Sequence, residues 1–286
     1  MVSDIKISEE EINKQLEHST GNLPTDLFNG LLQKYGMTLY EIFWLEDGIN
    51  DTQILAFLHQ VLDRSLEQIN SPSLLTPKVS LFFTAQRLIK DLKKSRSDVS
   101  QHRNNDTVLS NPFIHTLKQL SSEKRFIYLL RIKGNFSYHD LETIMIRHRD
   151  EISLSLTETR EFLRISLAKE PSIPFLQEEE LCSAVYKYLS PYLDNELSAL
   201  NIMDTEKHLL NCDKCLQLLA NHQYIQKQIN NLHIISEEEF LSYFQSENNI
   251  KKKQKITNRS ENSHTYTRKN NRFRFFSFLW NFIRKR

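Results

Sequence analysis

All three cysteines of this chain fall within one short stretch. Cys182 comes first, and the run His208-Leu-Leu-Asn-Cys212-Asp-Lys-Cys215 follows it. On a helix, His208 and Cys212 stand four apart and share a face. Cys215 is three residues further on, close enough to close a chelate once that helix ends. Cys182 lies one helix upstream and can fold back as a fourth ligand. Three sulfurs and one imidazole suit a closed tetrahedral Zn2+ site, with no position left open for a catalytic water. With no cysteine elsewhere, a disulfide framework is not expected. The alternative is three ordinary buried thiols beside a surface histidine, since a free cysteine packs well as a small apolar residue.

The residues around these ligands carry a family likeness. The stretch from Leu181 through Tyr192-Leu-Asp-Asn-Glu-Leu197 to Ser198, followed by Glu206-Lys-His-Leu-Leu-Asn-Cys-Asp-Lys-Cys215, resembles the zinc-binding anti-sigma domain. That family shows a tyrosine-leucine-aspartate-glycine-glutamate-leucine turn, then His-x3-Cys-x2-Cys, with a fourth ligand upstream. Asn195 stands where glycine is usual, and asparagine is the next-best residue for left-handed backbone. The resemblance implies a small helical domain that clasps or shields a sigma factor, in some members with redox sensing at the zinc thiolates.

A chain of 286 residues holds two or three small domains. Five glycines, seven prolines and long amphipathic runs of Leu, Ile, Glu, Lys and Gln predict an all-α protein. The opening from Met1 to Glu17 is polar and acidic, unlike a secretory leader, so a cytoplasmic location is expected. The net charge of +1 conceals an asymmetry. From Asn248 to Arg286 there are twelve Lys or Arg against one acid, Glu261, so the body before it is strongly acidic. A body that simply coats DNA would not have that sign.

Apolar spacing predicts a helix over 25–46, stopped at Gly48. A second is capped by Asp51 or Thr52, and a third runs from Pro77 to Ser95. Residues 97–111 read as a polar linker. A second helical unit follows over 112–170. Ser121 or Ser122 caps a helix through Leu130, Gly134-Asn135 turns, Tyr138 to Met145 is a short helix, and a longer one runs from Glu151 to Leu167. Short helix, tight turn and longer helix make the helix-turn-helix plan. Pro171 and Pro174 mark the boundary before the zinc unit at 178–235.

The order of these units carries a second resemblance, to an extracytoplasmic-function sigma-70 type factor. Residues 25–96 resemble its region 2, best through Phe82-Phe-Thr-Ala-Gln-Arg-Leu-Ile-Lys-Asp-Leu-Lys-Lys-Ser-Arg96. Residues 112–170 resemble region 4, through Leu117-x-x-Leu120-Ser-Ser-Glu-Lys-Arg-Phe-Ile-Tyr-Leu-Leu130 and Phe136-Ser-Tyr-His-Asp-Leu-Glu-Thr-Ile144. The resemblance implies core RNA polymerase and promoter DNA as partners. Of the acidic and glutamine residues that grip the polymerase clamp in the family, Asp51 and Gln60 are kept, and Ser80 replaces a usual tryptophan. The span Asp150 to Arg164, in the place of the recognition helix, has four acids and two arginines. A major-groove helix brings cations to phosphates and donors to base edges, so the minus-ten element is the better expectation than the minus-thirty-five.

Candidate DNA-binding residues are therefore Arg87, Lys90, Lys93 and Lys94, with Phe82 and Phe83 beside them. Aromatics among cations suit unstacked bases of a single strand. The competing reading is a solvated basic helix end above core phenylalanines. Residues 248–271 read as a basic disordered linker. In 272–286, Phe275, Phe276, Leu279, Trp280 and Ile283 lie among arginines. That apolar segment is about half the roughly 20 residues needed to cross a bilayer. It suits peripheral contact with an anionic membrane, the alternatives being a partner-binding helix, a nucleic-acid contact or the stub of a shortened transmembrane segment. The chain reads as a non-enzymatic transcription regulator. It is a sigma factor restrained in cis by its own zinc domain, or an anti-sigma-like protein that has lost promoter recognition and engages another sigma factor. Residues 1–24 are a polar leading segment.

Overall fold

The computed structural model describes residues 25–69, 75–95, 110–169, 182–183 and 185–243. Every regular element among them is helical, as the periodicity predicts. In chain order the helices are α1 (Thr25–Leu45), α2 (Asp51–Ile69), α3 (Pro77–Ser95), α4 (Pro112–Gln119), α5 (Ser122–Ile132), α6 (Tyr138–Met145), α7 (Arg149–Ala168), α8 (Tyr186–Leu193), α9 (Ala199–Leu209) and α10 (Asp213–Asn230). The described residues through Phe240 belong to one compact unit, and a second begins at Leu241. The leading segment 1–24, most of the linker 97–111, the basic linker 248–271 and the tail residues Phe275, Phe276, Leu279, Trp280 and Ile283 lie outside the described residues.

Local chemistry sets the helix starts. Pro112 sits at the first position of α4, where its missing N–H costs nothing, and Asn111 Oδ1 accepts from Phe113 N–H. Ser121, one of the two serines expected, caps α5 by accepting from Lys124 N–H. Ser137 and Asp140 form a reciprocal capping box on α6. The cap of α2 corrects the sequence reading. It is Asn50, not Asp51 or Thr52: Asn50 Oδ1 accepts from Gln53 N–H while Gln53 Oε1 accepts from Asn50 N–H. Gly48 ends the first helical region with a φ of 73°, a conformation glycine adopts at little cost.

Helices α1 to α3 close a core around Leu31, Leu39, Phe43, Ile54, Leu58 and Phe82, all under 2% exposed. Phe82 also reaches the next unit. Its ring meets Tyr35 edge-on at 5.8 Å and Phe136, in the turn before α6, at 4.8 Å. Two buried carboxylates join α1 and its end to α5: Glu46 accepts from Arg125 at 3.0 Å, and Glu41 pairs with Lys133 at 2.6 Å. Gly134 leaves room for this joint. A Cβ there would lie 2.6 Å from the Phe136 ring and 2.8 Å from the Leu130 carbonyl oxygen. Gly134→Ala is expected to lower stability by about 1–3 kcal/mol, the range for forced overpacking, as a fall in the denaturant midpoint at constant m-value.

The turn between α6 and α7 holds Ile146 at φ 54°, with its side chain 75% exposed. Left-handed backbone costs an L-residue roughly 1–2 kcal/mol, and β-branched isoleucine is among the poorest residues for it. Since little burial is lost there, Ile146→Gly is expected to stabilise the chain by about 1 kcal/mol, seen as a higher midpoint of thermal unfolding.

Candidate metal centre

The four ligands come from three positions in the fold. Cys182 precedes α8, His208 is in the last turn of α9, Cys212 caps the start of α10 and Cys215 is in its first turn. Below them Val185, Leu189, Leu209, Leu218 and Leu219 form a small buried cluster with Cys215. Cys215 is 1% exposed, while Cys182, His208 and Cys212 are half-buried.

The donor atoms of all four residues lie within 4.8 Å of one another. Cys182 Sγ is 3.7 Å from Cys212 Sγ, and His208 Nε2 is 3.3 Å from Cys215 Sγ. A tetrahedral ion with Zn–S bonds of about 2.3 Å places its sulfurs about 3.8 Å apart. These two separations match that spacing, and a small contraction of the widest ones closes the cluster on a Zn2+ ion. A Cys3His shell fills all four positions, the arrangement of a structural zinc. Burial pushes the Cys215 thiol up to about 12, whereas backbone N–H donation holds Cys212 below the usual thiol value.

A family model described as Putative zinc-finger matches residues 182–216. That span contains all four ligands. The match agrees with the zinc reading of the sequence, and Zn2+ is the cofactor to which the clustered donors of these residues point. Residues 25–168 lie outside the match. No curated protein and no solved structure matches the chain.

The turn after α8 shows how the domain attaches to its neighbours. Asn195 has a φ of 55°, the left-handed conformation expected of the residue in glycine's place. Around it Glu196 N–H donates to Pro191 O and Asn195 N–H to Tyr192 O, the two bonds of a Schellman helix end. Asp194 and Glu196 are thereby turned toward α5, α6 and α7. Arg160 of α7 grips Asp194 bidentately, Nη1 to Oδ2 at 2.9 Å and Nη2 to Oδ1 at 2.7 Å. Arg131 of α5 donates from Nε to Asp194 Oδ1 at 2.9 Å, and the Tyr138 hydroxyl donates to Oδ2 at 2.8 Å. Arg160 also donates to the Ser190 hydroxyl. Burial alone pushes the Asp194 carboxyl up. Arg160 and Arg131 outweigh it and hold the group below the usual carboxylate value. Glu196 accepts from Arg149 at 2.6 Å and from Tyr138 N–H at 2.9 Å.

None of these polar residues stands out as a site in the sequence. One signal is present there. Arg160 falls in line with Ile152, Leu156, Leu163 and Leu167 on the buried stripe of α7, and an arginine there requires a buried counterion.

The candidate DNA-binding residues lie on α3. Phe82 is fully buried and packed by Tyr35 and Phe136, so it is a core residue and not a stacking platform. Phe83 is half-buried, with the Arg87 guanidinium 4.7 Å above its ring. Lys90 and Lys94 are exposed, and Lys93, 54% exposed, pairs with Glu46 at 3.3 Å. Arg87, Lys90 and Lys94 thus lie along the outer side of α3. Among the described residues no helix is long and apolar enough to cross a membrane.

Proposed function

We propose that this chain is a transcription regulator built like a sigma factor and restrained in cis by its own zinc domain. The observation that carries the reading is the Arg160–Asp194 pair. Helix α7 stands where the resemblance puts the recognition helix, and it packs against α8 and α10 as well as against α4, α5 and α6. A helix whose arginine is spent on the zinc domain's aspartate cannot also present it to a major groove. The basic side of α3 remains accessible, which suits contact with the minus-ten element and, through the same unit, with core RNA polymerase. Run-off transcription with core polymerase tests this. Deleting residues 178–286 is expected to raise activity on a responsive promoter. Absence of both activity and core binding in the full and shortened chains would overturn it.

Within this reading, charge reversal at Lys93 and Lys94 is expected to weaken DNA binding by the folded unit. For every phosphate that is no longer neutralised, the salt slope should flatten by about one unit. In the full chain Arg160→Ala is not expected to abolish DNA binding, because Arg160 is engaged by Asp194 and not by DNA. Filter binding across a salt series checks both.

A second reading has its own observation. On the zinc domain Leu200, Met203, Leu210 and Leu216 are each more than half exposed. An anti-sigma-like protein that engages another sigma factor would use such a surface. Co-purification of a sigma factor with the full chain, lost in Leu200→Asp/Met203→Asp, would favour it. For the tail, co-sedimentation with anionic vesicles followed by Trp280 fluorescence tests peripheral membrane contact.

A further inference from the structure

The zinc domain meets α7 across a small polar cavity. Arg160 and Glu161 of α7, Tyr186 and Ser190 of α8 and His222 of α10 line it. His222 is 7% exposed, and its Nδ1 is buried without a hydrogen-bond partner. Arg160 Nε is buried in the same way. His222 lies two turns along α10 from Cys215, so it belongs to the joint with α7 and not to the metal centre.

The charges around this imidazole all disfavour a proton on it. Helix α10 packs against α5, α7, α8 and α9. From α7 come two guanidiniums, Arg160 and Arg164, both close enough to oppose a positive charge on His222. The nearby carboxylates are committed. Asp194 is held by Arg160 and Arg131, and Glu161 gives both oxygens to Arg164. From α8 comes Tyr186, and from α5 comes Tyr128, next to Arg160 and Asp194. Burial pushes both phenols up, so they stay neutral. No residue of α9 lines the cavity, and α10 itself adds only Leu218. A proton on His222 would set a third buried cation beside two guanidiniums, with no carboxylate left to take it. Burial first, and then the two arginines, hold the imidazole down at about 3, against an ordinary value of 6.5.

We propose that His222 is an acid-sensitive latch: the zinc domain stays on α7 while this imidazole is uncharged, and protonation of the imidazole releases the domain. Arg160 and Glu161 close the cavity from the α7 side, so parting the two elements opens His222 to water and restores its ordinary value. Between about pH 6.5 and 3 the released chain binds more protons than the docked one. Docking is therefore full above pH 6.5 and weakens as pH falls, by about tenfold for each unit. Asp194 begins to lose its own contribution only near pH 4, so His222 sets the first loss. The inference rests on the cis-restrained reading, to which it adds acidification as a releasing condition.

The test uses the full chain with zinc in excess and reads amide hydrogen exchange at about pH 7.5 and 5.5, corrected for the intrinsic rate. The reporter is Tyr138 N–H, which donates to Glu196 Oε1 across the joint at 2.9 Å and is freed when the domain leaves. In the parent its protection is expected to fall about tenfold between the two conditions. In His222→Gln and His222→Leu, which take up no proton there, it should hardly change. Any loss of metal in acid is common to all three chains, so the contrast between them is the reading. Imidazole nitrogen shifts of the folded parent should show His222 still neutral at the lower pH. An equal fall in parent and variants would overturn the proposal, as would constant protection in the parent. So would a folded parent in which His222 takes up its proton near pH 6.5. The assay contains neither DNA nor polymerase, so a failed latch and a failed run-off assay are separate outcomes.

Discussion

Asp194→Ala is expected to destabilise the folded chain by roughly 3–5 kcal/mol, the cost of breaking a buried ion pair by removing one partner. The side chains of Arg160 and Asp194 are 2% and 0% exposed. Alanine would leave the Arg160 guanidinium facing a void, with Arg131 beside it and the Tyr138 hydroxyl unpaired. The size of the loss would not measure what the pair contributes, because most of it is the penalty of an uncompensated buried charge. Asp194→Leu combined with Arg160→Met separates the two. That double variant should be more stable than Asp194→Ala, since no buried charge is stranded between those partners. Urea midpoints for the parent and both variants check this. A midpoint for Asp194→Ala within error of the parent would mean that water already reaches the cluster.

The same pair fixes a sign with pH. The Asp194 carboxyl is held below its unfolded value against Arg160 and Arg131, with Tyr138 and Tyr128 also close. A carboxyl with a depressed folded pKa contributes stability that is full above the unfolded value of about 3.9 and is lost as pH falls through the folded value. The stability difference between the parent and Asp194→Asn should therefore be constant near neutrality and shrink below about pH 4. A difference that grows on acidification would contradict the assignment.

Residue spacing makes much of the fold legible. The helix from Pro77 to Ser95 and that from Tyr138 to Met145 begin and end where the sequence places them, because Pro77 and the Ser137 cap leave little choice. The start of α7 is less legible. Its cap is His148, whose ring nitrogen accepts from Asp150 N–H, and histidine is not among the residues that announce a cap. Phe82 and Phe83 stand side by side, and composition does not say which one faces inward. The spacing of Val79, Phe82, Gln86 and Ile89 does, since all four share one buried stripe. The metal ligands are legible because few other arrangements bring three thiols and an imidazole so close in the chain. The Asp194 cluster is not. Its partners lie 34 and 63 residues away, and nothing local to an arginine says which carboxylate it will meet.

Removing zinc is expected to unfold the segment from Cys182 to about Asn230 while leaving most of α1 to α5 helical. The reason is size. Five apolar side chains and Cys215 form the buried cluster beneath the ligands, a small core for the lead into α8, the end of α9 and the start of α10 to share. Structural zinc supplies an apparent binding free energy of about 10–16 kcal/mol in small zinc-finger peptides, and that energy is also folding energy. The ligands must shed protons to bind, and Cys215, pushed up to about 12 by burial without metal, must give up a tightly held one. Affinity should therefore rise with pH. Purified protein should contain close to one zinc per chain, and Cys212→Ser should lose it. The fall in affinity should exceed the 10- to 100-fold typical of losing only a supporting hydrogen bond around a metal. Amide hydrogen exchange before and after chelation locates the effect. Protection should vanish across α8 to α10, and it should persist in α2 and α3. Metal content near zero in protein never exposed to chelator would overturn the zinc site. Unchanged protection in α8 to α10 after zinc is stripped would show that the apolar cluster holds the domain unaided.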